Sequence, residues 1–92
     1  MKALMEVPIK KEGGGICFAR LKVDLPFLPY VGMPVYHVAW KDSRDVIWVS
    51  MQFDEDNEAS IMVRLESEHT DNKEQQNQLL EQYKAHGWET IG

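Results

Sequence analysis

The chain has a single cysteine, Cys17, so no disulfide can form within it. Disulfides are typical of proteins in oxidising compartments, and their absence here favours a reducing one. The chain also lacks any apolar run near the roughly 18 residues that a membrane span requires. Its N-terminus, Met1–Glu6, carries charges where a signal peptide has an apolar core. We therefore expect a complete, cytoplasmic protein.

Positive charge is scarce as well. Ten basic residues stand against fifteen acidic ones, which gives a net charge of −5. The basic residues are scattered, and only Lys10 and Lys11 are adjacent. Because binding to nucleic acid or to an anionic membrane needs a concentrated basic patch, we expect neither as a partner. The acidic balance is explained by solubility.

Recognisable catalytic and metal-binding patterns are absent too. The three histidines share no metal-ligand spacing, and one cysteine leaves a zinc site short of its usual ligands. The acidic run Asp54–Glu58 is too short for a calcium-binding loop. The glycines Gly13–Gly15 lead into a strand, whereas a phosphate-binding loop leads into a helix. We therefore expect no metal, no other cofactor and no catalytic residue, and an enzyme is the less favoured interpretation.

What the sequence does contain is alternation of apolar and polar residues, the pattern of strands with one buried face. Pro8 interrupts the first alternating segment. Because proline cannot donate to a ladder, that strand is expected at a sheet edge. The first two segments are expected to pair with Ile9 opposite Cys17 and Met5 opposite Leu21. Five strands are predicted in all, over residues 2–10, 16–25, 34–40, 45–54 and 59–67.

Two turns, at Lys41–Arg44 and at Glu55–Asn57, join the last three segments into an antiparallel meander. In this register the apolar residues fall on one face, and a slip of one residue would scatter them over both faces. Three rows of that face are predicted: Val38, Ile47 and Leu65; Tyr36, Val49 and Val63; and Pro34, Met51 and Ile61.

The last predicted element is a helix over residues 71–86. Asp71 fits the N-cap of a capping box. Gly87 fits the left-handed position that ends a helix, which places Trp88 against Tyr83. The sequence thus predicts an α+β fold in a single domain, with a five-stranded, mainly antiparallel β-meander and one C-terminal α-helix packed on one face.

The opposite face of the predicted sheet combines aromatic, charged and apolar residues. His37, Trp48 and Arg64 are expected in one row, where the arginine can stack on the tryptophan by a cation–π interaction. Val46 and Met62 are expected beside them. Such a patch is either a partly covered face or a contact surface, and tryptophan and arginine are common interface anchors.

The segment between the second and third predicted strands is unusual for a loop. Pro26, Pro29 and Pro34 prevent a regular helix or ladder, yet the segment is rich in large apolar side chains. It must either fold back over the core or present an apolar surface. We expect it to extend the contact surface, whose candidate partner-binding residues are Phe27, Leu28, Tyr30, Val31, Met33, His37, Trp48, Met62 and Arg64.

Three functions are open at this point. The leading hypothesis is a non-catalytic protein–protein interaction module, expected to form a homodimer through the second sheet face and the proline-rich loop. The first alternative is a small-ligand-binding domain or small enzyme, with a pocket between residues 26–34 and the sheet lined by Tyr30, Tyr36, His37 and Trp40. The second alternative is an acidic, antitoxin-like inhibitor of a basic protein, which only the net charge supports.

Overall fold

A computed structural model describes residues 1–92 as a small α+β fold with one helix and one mixed sheet. The elements are β1 (Lys2–Lys11), β2 (Ile16–Asp24), β3 (Pro34–Val35), β4 (Arg44–Phe53), β5 (Ala59–Leu65), β6 (Glu68–Thr70), α1 (Lys73–Ala85) and β7 (Glu89–Ile91). The sheet order is β3-β4-β5-β1-β2-β7, with β6 also paired to β1. Most strand pairs are antiparallel, as expected, but the predicted five-stranded meander is wrong in detail, since seven strands are present and β1 runs parallel to β5 and β6.

The first strand, β1, lies at the centre of the sheet, so the prediction of an edge strand is wrong. On one side β1 pairs with β2 in the predicted register, with Ile9 opposite Cys17. On the other side Ala3–Glu6 pair with β5, and Ile9–Lys11 pair with β6. Pro8 lies between these two segments, where neither β5 nor β6 pairs with β1. A proline is tolerated in the middle of the sheet because it falls at this interruption.

The hairpin of β4 and β5 confirms the predicted register over most of its length. Two expected pairs are present, Val49 with Val63 and Met51 with Ile61. A β-bulge follows Val46, so Val46 and not Ile47 lies opposite Leu65. Val46 is 1% exposed and Ile47 is 46% exposed. The prediction that placed Ile47 in the core and Val46 on the second face is therefore wrong, because a bulge inserts one extra residue into a strand.

The predicted third strand, residues 34–40, is reduced to the two residues of β3. Pro34 pairs with Asp45 and Val35 with Arg44, beside the start of β4. The predicted turn at Lys41–Arg44 is therefore wrong. So are the three pairings across it, namely Val38 with Ile47, Tyr36 with Val49, and Pro34 with Met51.

Local hydrogen bonds explain why the chain leaves the sheet after β3. The backbone N–H of Ala39 donates to His37 Nδ1, and that of Trp40 donates to the His37 carbonyl oxygen, both at 3.0 Å. These bonds form a turn and use donors that a longer ladder would need. Tyr36 and Val38 are left exposed, although the alternating pattern predicts them in the core.

The helix begins and ends with capping motifs. Asn72, and not Asp71, is the N-cap, and the helix spans Lys73–Ala85 instead of the predicted residues 71–86. At the other end Gly87 has a φ of 87°, and the N–H of Trp88 donates to the carbonyl oxygen of Tyr83 at 3.0 Å. This is the predicted Schellman motif. The helix is not long and apolar enough to cross a membrane.

Two short strands, β6 and β7, were not expected from the sequence. The last predicted strand ends at residue 67, but Glu68–Thr70 forms a further strand that pairs parallel with the end of β1. After the helix, Glu89–Ile91 pairs antiparallel with β2. The helix is thereby tied to the sheet on both sides, and it packs against β1, β2, β6 and β7.

The core lies between the sheet and a layer made of α1 and the segment that follows β2. The helix contributes buried Tyr83 and Gln76, whose side-chain amide donates to the carbonyl oxygen of Ile9 at 3.0 Å. The segment contributes five partly buried side chains, those of Leu25, Met33, Val35, Ala39 and Trp40. No helix lies over the other side of the sheet, which we call the open face.

Candidate functional site: an open sheet face and a free strand edge

A row of charged residues crosses the middle of the open face. The pairings of β1 with β2 and β5 place Glu6 between Arg20 and Arg64. Glu6 is 1% exposed. One carboxylate oxygen accepts from the Nε and Nη2 of Arg20, both at 2.8 Å, and the other accepts from the same atoms of Arg64, both at 2.9 Å. A buried carboxylate is costly unless it is paired and hydrogen-bonded, and both conditions are met here.

Each of these arginines also stacks on an aromatic ring. The guanidinium carbon of Arg64 lies 5.2 Å from the centre of the Trp48 ring, and that of Arg20 lies 5.7 Å from the centre of the Phe18 ring. The predicted pairing of Trp48 with Arg64 is present. Both rings are therefore held in place by ion-paired arginines, whose charge the aromatic faces attract.

The open face also exposes apolar surface around this row. Trp48 is 44% exposed, and Ile16 and Ile91 are similarly accessible. Met62 and Leu4 are half-buried on neighbouring positions of β5 and β1. Exposed apolar side chains thus lie on both sides of the charged row, and exposed apolar surface bordered by polar groups is typical of a surface that contacts another molecule.

His37 does not lie on the open face, so its predicted place opposite Trp48 is wrong. It packs on the helix side, with its ring centre 5.2 Å from that of Trp88 and 5.7 Å from that of Trp40. Burial lowers the pKa of His37, and so does the neighbouring imidazole of His86.

The same aromatic cluster joins the loop after β3 to the end of the helix. Trp40 Nε1 donates to the Tyr83 hydroxyl at 2.7 Å, and the rings of Tyr83 and Trp88 are 5.1 Å apart. Burial raises the pKa of Tyr83 to about 12. These contacts hold the loop after β3 against the end of the helix, which is a structural role.

The proline-rich loop splits the remaining predicted contact residues. Met33 is half-buried against the core. Near its end the loop is bonded to β4, since the N–H of Gly32 donates to the carbonyl oxygen of Val46 and the N–H of Val46 donates to that of Met33. Four apolar side chains of the loop are exposed, those of Phe27, Leu28, Tyr30 and Val31. The structure thus brings Trp48, Met62 and Arg64 together and places His37 and Met33 elsewhere.

The outer edge of β4 is the feature that sequence reasoning missed, because a long third strand was expected to cover it. β3 and the loop pair only with Arg44–Val46. From Ile47 to Phe53 no strand pairs on that side, and we call this segment the free edge. It contains no charged residue, and Phe53 is 64% exposed. A run of seven uncharged residues, IWVSMQF, was the signal available in the sequence.

The edge at the opposite end of the sheet has features that prevent pairing with another chain. Its outer strand, β7, has only three residues. Beyond β7 the edge of β2 carries Lys22 and Asp24. Short edge strands and charged side chains discourage pairing with another chain. The free edge of β4 has neither protection, so the two ends of the sheet differ in their capacity to add a strand.

Neither a metal-binding site nor a similarity to known proteins indicates the function of this chain. No group of three or more His, Cys, Asp or Glu side chains is placed to hold a metal ion. Comparison of the chain with protein-family models, with curated proteins and with solved structures finds no match. The function must therefore be inferred from the open face and the free edge.

Proposed function

We propose that the protein is a non-catalytic interaction module that forms a homodimer through its free edge. The observation that carries this proposal is the unpaired, uncharged segment Ile47–Phe53. Its outward N–H and C=O groups are a template for another strand, and folded proteins normally block such edges. An edge that is left open, long and apolar is explained if a partner strand covers it.

A second copy of this chain fits the edge better than a strand of another kind. In a two-fold symmetric dimer the same strand meets itself in antiparallel orientation. Charged residues near the axis would then face like charges, which destabilises cross-strand pairs. The free edge avoids this conflict because it carries no charge.

Pairing of the whole free edge defines one register. All seven residues are used only if Ser50 lies on the two-fold axis, which places Ile47 opposite Phe53 of the second copy. Aromatic side chains opposite β-branched ones are favourable cross-strand pairs. The Ser50 hydroxyl is buried and has no hydrogen-bond partner within one chain. At the axis it would face its own counterpart, and opposed serine hydroxyls can hydrogen-bond to each other.

The dimer would join the two sheets into one and extend the open face across both copies. Trp48 would lie opposite Gln52 of the second copy, so the two Trp48 positions would be four residues, or about 14 Å, apart along the strands at ~3.4 Å per residue. The exposed side chains of the proline-rich loop, beside Val46 at the end of the free edge, would add apolar contacts near Phe53 of the second copy. The extended face is then the surface for a further protein partner.

The experiment is light scattering after size-exclusion chromatography, over a wide range of loading concentrations. We expect a dimer that dissociates on dilution. Ser50→Lys places two like charges at the axis and should give a monomer at all concentrations, as should Met51→Lys beside it. Ser60→Lys adds the same charge on β5 and should leave the dimer intact. Circular dichroism checks that each variant is folded.

A monomeric wild-type protein at the highest concentration would contradict the proposal. So would a Ser50→Lys variant that is folded and dimerises as tightly as wild type. If Ser60→Lys abolished the dimer while the free-edge variants did not, the interface would lie on another part of the sheet.

A further inference from the structure

A cavity of about 720 Å³ lies at one end of the open face. It lies where the parallel pairing of β1 with β5 begins, at Ala3 and Ile61. Before Ile61, β5 pairs with β4 but not with β1. Leu4, Ile61 and Met62 supply much of its apolar lining. No residue of 26–34 lines it, so it is not the pocket that the sequence suggested.

The rim of this cavity is positively charged. Asp24, its only carboxylate, is paired with the N-terminal ammonium group of Met1 at 2.6 Å. That ammonium group lowers the pKa of Asp24. Lys2 and Lys22 also line the cavity, and neither takes part in an ion pair. One carboxylate therefore stands against three ammonium groups, those of Met1, Lys2 and Lys22, beside an apolar surface on a protein whose net charge is −5.

We propose that this cavity binds an amphipathic anion, namely a carboxylate with an unbranched hydrocarbon tail of medium length. The carboxylate would bind between Lys2 and Lys22, and the tail would lie on Leu4 and Met62. Charge complementarity selects an anion, and the apolar lining selects one with a tail over a small polar ion. Ligand sites in proteins measure about 300–1,000 Å³ and combine apolar walls with a few charged groups in this way.

The proposal makes a quantitative statement about tail length. Burial of one methylene group tightens binding by up to about fourfold. The dissociation constants of hexanoate, octanoate and decanoate should therefore fall in steps, until the tail exceeds the cavity. Acetate, which has no tail, should not bind measurably, and decanol, which has no charge, should bind at least tenfold more weakly than decanoate.

The test is a titration of the ¹⁵N-labelled full chain with decanoate below its micelle concentration, followed by NMR. Shift changes should be centred on Lys2, Leu4, Lys22 and Met62. Lys22→Glu should weaken binding by about tenfold or more, because it reverses one charge of the rim. Lys22→Met, which keeps an apolar stem, should weaken it less, and Lys41→Glu, on the loop before β4, should leave it unchanged.

Several results would overturn this inference. Binding of decanol as tight as that of decanoate, or displacement of decanoate by decyltrimethylammonium, would show that charge does not select the ligand. Shift changes spread over the aromatic cluster and the helix would place the ligand elsewhere. No shift change up to the solubility limit of decanoate would show that the cavity does not bind this class of molecule.

Discussion

Removal of the Glu6 carboxylate tests how the open face is held together. Glu6→Ala leaves the guanidinium groups of Arg20 and Arg64 side by side without their shared anion. Loss of one partner from a buried ion pair costs about 3–5 kcal/mol when the remaining charge stays buried. The side chains of Arg20 and Arg64 are 32% and 40% exposed, so water can solvate them in the variant. We therefore expect a smaller loss, about 2–3 kcal/mol of unfolding free energy.

The assay is urea unfolding followed by tryptophan fluorescence, with thermal unfolding as a second measurement. In a domain of this size the loss corresponds to a decrease in Tm of about 10–20 °C. Glu12→Ala, in the exposed loop after β1, should change the free energy of unfolding by less than about 0.5 kcal/mol. A triple variant that combines Glu6→Leu, Arg20→Met and Arg64→Met should recover most of the stability, because no charge is then left without a partner. A Glu6→Ala variant as stable as Glu12→Ala would refute the buried, doubly paired carboxylate.

Two further perturbations probe the helix end and the aromatic cluster. Gly87→Ala should lower the free energy of unfolding by about 1–2 kcal/mol, because alanine is strained at this positive φ although its Cβ would meet no neighbour. Gly87→Asn should cost less, and equal losses for both variants in urea unfolding would count against a conformational cause. The pKa of His37 is held below 6.5 in the folded chain by burial and by His86. As the pH falls, His37 is therefore protonated in the unfolded chain before it is protonated in the folded chain, and the free energy of unfolding should decrease below about pH 6.5. A His37→Gln variant whose stability depends on pH as steeply as that of wild type would contradict this.

Local patterns in the sequence predicted local structure correctly. Alternation and the spacing of Ile9 and Cys17 gave the right register for β1 and β2, although the connecting loop is long and glycine-rich. Gly87 and Trp88 predicted the end of the helix because the Schellman motif depends on neighbouring residues only. The stacking of Arg64 on Trp48 followed from the hairpin register.

The errors arose where structure depends on residues far apart in the chain. Alternation shows which side chains share a face, but it does not show which strand lies next to which. The parallel pairing of β1 with β5 joins residues about 60 positions apart, such as Ala3 with Ile61, and has no signal in either segment alone. Strands of three residues, such as β6 and β7, are too short to show a period.

The candidate site was predicted only in part, because local patterns again placed neighbouring residues correctly and distant ones wrongly. Trp48, Met62 and Arg64 were placed together because they lie on one hairpin. His37 was misplaced because a local turn at Ala39 and Trp40 overrides an alternating pattern that extends from β3. Glu6 had a signal that could have been used, since it is the lone charge within the apolar run of β1 from Ala3 to Ile9.

Amide hydrogen exchange of Ile47–Phe53 tests the free edge most directly. In dilute solution the outward amides of this segment should exchange rapidly, because no strand covers them. At high concentration the same amides should become protected in wild type but not in Ser50→Lys, while the amides shared by β1 and β2 should not change. Protection that is already complete in dilute monomer, or that never rises with concentration, would contradict the account of β4 as an edge that pairs with a second copy.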